Sequence, residues 1–150
     1  MYQLKNLRLV FATLIVAMLS VAIAEDGDPR HERHELMEGV KKAASPIGKM
    51  LKGERDYDAD VVMASLETWH EASLRFGDLF PAGTETGMDT EAAPAIWADR
   101  EGFDAALVKF RDAVEAAKAA KPMTLEDAKP AVGPVFQTCK GCHDDYRIED

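Results

Sequence analysis

Cys139, Cys142 and His143 are the residues of this 150-residue chain best equipped for chemistry. They stand in the stretch CKGCHDDYR near the carboxyl end, and the two cysteines are the only ones in the chain. Two thiols and an imidazole in this order are open to several chemistries. Each thiol can add to a vinyl group of haem and close a thioether, and the imidazole of the next residue then meets the iron from one side; C-x-x-C-H is the sequence form of that attachment. A structural zinc site needs four ligands, and His31 and His34 in HERH could supply the other two by counting. A thioredoxin-like dithiol expects a strand before the motif and a βαβ setting. A disulfide across two intervening helical residues would be strained and would close a very short loop.

The elements that must position these residues read as helices. In the segment from Pro29 to Leu51, Leu36, Val40, Ile47 and Leu51 recur at helical spacing, with Met37 and Ala44 beside them. Asp28 can cap this helix and Pro29 suits its first turn, while Pro46 predicts a kink between residues 42 and 46. From Ala59 to Phe80, the residues Val62, Leu66, Trp69, Ser73, Phe76 and Phe80 form a heptad seam. From Ala92 to Ala119, Phe103, Leu107, Phe110, Val114 and Ala117 repeat it, preceded by Ile96 and Trp97. The last segment, Thr124 to Ile148, carries Leu125, Ala128, Val132, Phe136, Cys139, His143 and Tyr146 on one face, with Pro130 and Pro134 predicted to distort its first half.

Breaks fall at residues 52–58, 81–94 and 121–123. No segment alternates in the manner of a strand. The predicted fold is all-α, an antiparallel four-helix bundle. Its middle connection, 81–94, is long for a bundle. The seam of the last segment turns Cys139 and His143 inward, so His143 is expected to be covered, and Cys139, Cys142 and His143 at i, i+3 and i+4 share one face.

The amino end has a different character. Lys5 and Arg8 precede an apolar run from Leu9 to Ala24 that closes on Ala22-Ile23-Ala24. Basic, apolar and small-residue regions in that order are the layout of a secretory signal peptide. The run is shorter than the about 20 apolar residues of a spanning helix, so residues 1–24 are predicted to be cut off rather than kept as an anchor. The domain is then 25–150, in the periplasm, where haem c is attached. Removing the leader takes two of the 18 basic residues and none of the 27 acids, leaving a formal charge of −11. Such a chain repels nucleic acid and anionic lipid. No paired-carboxylate site, Ser–His constellation or phosphate loop points to an enzyme; Glu67, Glu71 and Asp99 read as solvated helix faces. With the leader, the lone cysteine pair and the helical seam together, the motif reads as a haem anchor, and a non-haem periplasmic dithiol or metal-binding module is the alternative of another class.

Over residues 30–147 the chain resembles the four-helix cytochromes c′ and their relatives of the c-556 type. The family places C-x-x-C-H at the end of its fourth helix and often continues with an acid, an aromatic and an arginine, matched by Asp144, Tyr146 and Arg147. Arg33 and Met37 in RHELM match its first helix, Lys52 to Asp58 its first break, and Pro94, Ile96, Trp97 and Phe103 the opening of its third helix. The resemblance implies one haem c per chain inside the bundle, bound covalently by Cys139 and Cys142, with His143 as the proximal iron ligand. It places Arg33 near a haem propionate and Arg147 on the exposed side near the imidazole, where a charge at a helix C-terminus is favourable in itself. It also implies a redox partner protein and, often, a homodimer through the first two helices.

Met37 separates two functions within that resemblance. In the c-556 type a methionine of the first helix ligates the iron, the haem is low-spin and the protein carries electrons; thioether ligation raises the reduction potential. In cytochromes c′ proper that residue only covers the distal face, which is ordinary core filling, and the five-coordinate iron takes NO or CO. KGERDYD and Pro134 point to the c-556 type and Arg33 to the c′ type. The reading adopted is electron transfer with Met37 on the iron. His34, three residues before Met37, is a rival sixth ligand, though it reads first as a surface histidine, as do His31 and His70.

Overall fold

The computed structural model describes residues 27–148; the predicted leader and its cut after Ala24 lie outside them. Four long helices form the bundle: α1 (Pro29–Leu51), α2 (Ala59–Arg75), α4 (Arg100–Ala120) and α5 (Leu125–Tyr146), with a one-turn helix α3 (Ala95–Ala98) ahead of α4. Each long helix starts on a side-chain cap. Asp28 accepts from the Arg30 amide, Asp58 from Val61, Asp99 from Gly102 and Thr124 from Asp127, each satisfying a backbone donor that the first turn leaves free. α1 stops at Gly53, whose φ of 74° suits glycine, and the Gly53 and Glu54 amides close back on the carbonyls of Met50 and Lys49. KGE is therefore a helix stop. α2 tightens after Arg75 into a 3₁₀ turn, Phe76–Leu79, and so ends earlier than its seam predicts.

The helices run through Pro46, Pro130 and Pro134, where the sequence predicts a kink and distortion. The carbonyls that lose their i+4 donors belong to Lys42, Glu126 and Pro130. All three residues are exposed, so water can take the donor's place.

α1 packs mainly on α2, α2 on α4 and α4 on α5. Between them lies a core of Val40, Ile47, Met50, Val62, Leu66, Trp69, Val114, Val132 and Val135. Burying each such aliphatic side chain contributes about 1.5–3 kcal/mol. Trp69 donates from Nε1 to the Val40 carbonyl at 3.0 Å and meets Phe136 edge-on, joining α2 to α1 and α5. At this closed end Tyr57 donates to the Pro122 carbonyl at 2.7 Å and ties the two short connections together. A second, aromatic cluster of Phe80, Ala92, Ile96 and Phe103 fills the other end.

Among the described residues no helix is long and apolar enough to cross a membrane. Of the exposed large apolar side chains only Leu74 lies on α1 or α2, so the stripe that would favour a homodimer there is reduced to one residue.

Candidate haem site

At the aromatic end the bundle opens into a cavity of about 470 Å³, within the range of cofactor pockets. α1 supplies one wall with Arg33, Leu36, Met37 and Val40; α5 supplies the facing share with Phe136, Cys139, Cys142, His143 and Tyr146; Phe80, Phe103, Leu107 and Phe110 form the floor. All six residues singled out from the sequence, Arg33, Met37, Cys139, Cys142, His143 and Arg147, line this one cavity. Residues Met88 to Ala92 of the middle connection also line it, and nothing in the helical periodicity had marked them. Their only sequence signal was the unusual length of 81–94.

The last turn of α5 is held by its neighbours. Tyr146 meets Phe103 edge-on at 5.3 Å and donates to Asp99 Oδ2 at 3.1 Å. A Cβ on residue 102 would come within 2.5 Å of the Tyr146 hydroxyl, so this close approach requires Gly102. Cys139 and Cys142 are half-buried free thiols. Burial pushes the Cys139 thiol up, and burial, Cys139 and Asp145 push Cys142 up to about 11. Redox dithiols work through the opposite shift, toward the thiolate. Among the described residues no group of three or more His, Cys, Asp or Glu is placed to hold a metal ion by itself. His31 and His34 lie on exposed positions of α1 and do not complete a zinc site with the cysteines.

His143 is exposed, against the expectation of a covered residue. It sits in the last turn of α5 on the cavity wall, and a side chain that lines an open cavity is accessible from it. Burial, and then the Arg147 charge, lower its pKa. That favours the neutral imidazole, which is the form with a lone pair for a metal. The apolar lining, the paired thiols on one face and a neutral imidazole beside them fit a covalently attached haem.

Arg33 is 4% exposed. Its Nη1 donates to the Leu79 carbonyl at 3.3 Å and to Thr84 Oγ1 at 3.2 Å; its Nη2 donates to the Thr84 carbonyl at 2.7 Å and to Thr90 Oγ1 at 2.6 Å. The guanidinium also lies over Phe80 at 4.9 Å. Both terminal nitrogens are thus engaged by the connection after α2. Arg147 is the C-cap of α5 and pairs with Glu91 Oε2 at 2.7 Å. Its amide bonds the His143 carbonyl at 3.2 Å. Met37 is half-buried. His34 lies on the rim, and His70 is on α2 beside Glu67 and Glu115, away from the cavity.

The family described as Cytochrome C′ matches residues 28–147. The cytochrome c′ of Rhodopseudomonas palustris is 37% identical over 141 residues, covering 92% of this chain and 93% of that protein. A cytochrome c-556 of Agrobacterium tumefaciens is 33% identical over 118 residues, covering 79% of this chain and 95% of that one. The solved structure of the Rhodopseudomonas palustris cytochrome c′ superposes with a TM-score of 0.79 at 36% identity, covering 83% of this chain and 98% of that one. The chain belongs to the cytochrome c′ family of four-helix-bundle proteins, which bind one covalent haem c per chain.

Proposed function

We propose that this chain is an exported, periplasmic electron carrier of the c-556 kind, in which Cys139 and Cys142 would hold the haem and His143 and Met37 would ligate its iron. Bound haem supplies an iron that takes up and releases one electron. The chain's own residues do the rest. His143 offers a neutral imidazole, Met37 a soft thioether, and Phe80, Phe103, Phe110 and Phe136 keep water from the cavity. A thioether ligand and an apolar wall both favour the reduced state.

The observation that carries this reading is the position of Met37, half-buried on the α1 wall of the cavity whose α5 wall carries Cys139, Cys142 and His143. The redox partner is another protein. On this reading the chain carries electrons rather than transforming a substrate, and the exposed Glu67, Glu71 and Asp99 are solvated helix faces. A second reading, a high-spin cytochrome c′ that binds NO or CO with Met37 as cover, is favoured by the 37% identity to a cytochrome c′. Met37→Ala separates the two. Under the first reading the substitution converts a low-spin spectrum to a high-spin one. An unchanged spectrum rules out Met37 as ligand.

A further inference from the structure

The connection 81–94 is fastened at both ends to the helices that carry the two candidate axial ligands. On the α1 side Arg33 makes four hydrogen bonds to Leu79, Thr84 and Thr90, and Arg30 Nη1 donates to the Thr86 carbonyl at 2.9 Å. On the α5 side the Ala93 amide donates to the Tyr146 carbonyl at 3.0 Å and the Ile148 amide to the Glu91 carbonyl at 2.8 Å, while Arg147 pairs with Glu91. Both fastenings lie one helical turn from a ligand position. Arg33 and Met37 are at i and i+4 on one face of α1, and Arg147, the C-cap of α5, follows His143 by four residues and bonds its carbonyl.

Two further features make this connection a strap rather than a passive loop. α1 packs on α2 and α5 on α4, so direct packing between α1 and α5 is slight. The connection therefore bridges α1 and α5 directly, beside the indirect packing through α2 and α4. The strap's middle also carries backbone strain: Met88 and Asp89 both have φ of 51° without being glycine. Such a conformation persists only where surrounding contacts over-determine it; the Thr90 amide closes this turn on the Gly87 carbonyl at 3.2 Å, and the Arg30 and Arg33 bonds to Thr86 and Thr90 flank it.

We propose that Arg33 is a positioning residue whose clasp on Thr84 and Thr90 holds α1 at the distance from α5 that keeps Met37 on the iron. The proposal rests on the reading of Met37 as sixth ligand. It gives Arg33 a role different from that of a propionate partner. Thr84, Thr90 and Arg30 share the role in proportion to the bonds they make. Arg30 contributes least, because its bond to Thr86 is exposed and its other donors are held by Asp28.

The test uses the haem-loaded full chain and its variants Thr84→Val, Arg33→Met and Met37→Ala, and the double variant Arg33→Met/Met37→Ala. The readouts are the spin state of the ferrous protein and the rate of CO uptake. Arg33→Met is expected to speed CO uptake by about tenfold or more, the scale of losing hydrogen bonds from a charged donor, and to raise the high-spin fraction, with helical circular dichroism unchanged. Thr84→Val, which lies off the cavity wall, is expected to give a smaller change in the same direction. In the Met37→Ala background the Arg33→Met effect should shrink to about twofold or less, because two residues acting through one ligand are not additive. Equal effects in both backgrounds, or no change in either readout, overturn the strap. If Arg33→Met does not fold, Thr84→Val with and without Met37→Ala decides the matter in the same way. A wild-type protein that is already high-spin removes Met37 as ligand and the strap's role with it. A low-spin wild type with insensitive strap variants removes the strap alone.

Discussion

At the closed end of the bundle, Val62, Leu66, Trp69, Val114 and Val132 come from heptad seams and bury completely against one another. At the open end, α2 has tightened into a 3₁₀ turn, and the space is filled by Phe80, Ile96 and Phe103, the last from the first turn of α4, with Arg33 laid across an aromatic face. The first region is held by periodic aliphatic packing between neighbouring helices. The second is held by rings, threonine hydroxyls and three arginines reaching to a connection between helices. The cavity at the open end leaves room for a planar cofactor, and the closed end supplies the stability that the open end gives up. Stability and function are therefore carried by different residues, and mutations can separate them.

The largest expected effect lies at the open end. Replacing Cys139 and Cys142 together by serine should abolish haem staining on a denaturing gel, while Leu66→Ala at the closed end should leave it intact. Staining that survives the double replacement would break the comparison at its root. Next in size is stability. Trp69→Ala removes a fully buried indole and its bond to Val40, and denaturant unfolding should register a loss of about 3–5 kcal/mol. Glu91→Gln at the strap, which weakens a surface ion pair with Arg147, should cost about 0–1 kcal/mol in the same measurement. Similar losses for both would mean that the open end is as much a part of the folding core as the closed one.

Most of the main core was legible in the sequence. The residues Val40 and Ile47 of α1, Val62, Leu66 and Trp69 of α2, Val114 and Ala117 of α4 and Val132 of α5 all follow the helical period that predicted their burial. Met50 was missed because it lies one position off the Ile47–Leu51 row, and the structure buries it more fully than Leu51. The motif cysteines and His143 stood out in the sequence because covalent and metal chemistry dictates their spacing, and all three line the cavity. His143 came out exposed because a helical seam predicts the direction of a side chain and not whether another element covers it.

The strap was not legible. Its bonds join residues more than 45 positions apart, and hydrogen bonds from Arg33 to Thr84 and Thr90 follow no local pattern. The same is true of Arg30 and Glu91. KGERDYD also changes meaning. Its KGE portion terminates α1 by a backbone motif that many helices share, so it weighs little between the two functional readings.

The smallest expected effect concerns acid. Asp28 caps α1, and its carboxyl is held at about 2, below its ordinary 3.8, first by the Arg30 side chain and then by the Arg30 amide. A lowered carboxyl pKa stabilises the fold fully above the ordinary value, and that contribution is lost as pH falls toward about 2. Between about pH 4 and pH 2 the amino end of α1, and with it the Arg30 end of the strap, should loosen. Acid titration followed by haem absorbance should show this as a shallow step that Asp28→Asn removes. A step that persists in Asp28→Asn would assign the acid sensitivity to other carboxylates.

The claim that Met37 takes the sixth position is tested most directly by the visible spectrum of the dithionite-reduced wild-type protein, recorded before and after CO is added. Ligation by Met37 predicts a low-spin six-coordinate ferrous spectrum that CO changes slowly or not at all. A high-spin ferrous spectrum that converts to the CO adduct on mixing would contradict it.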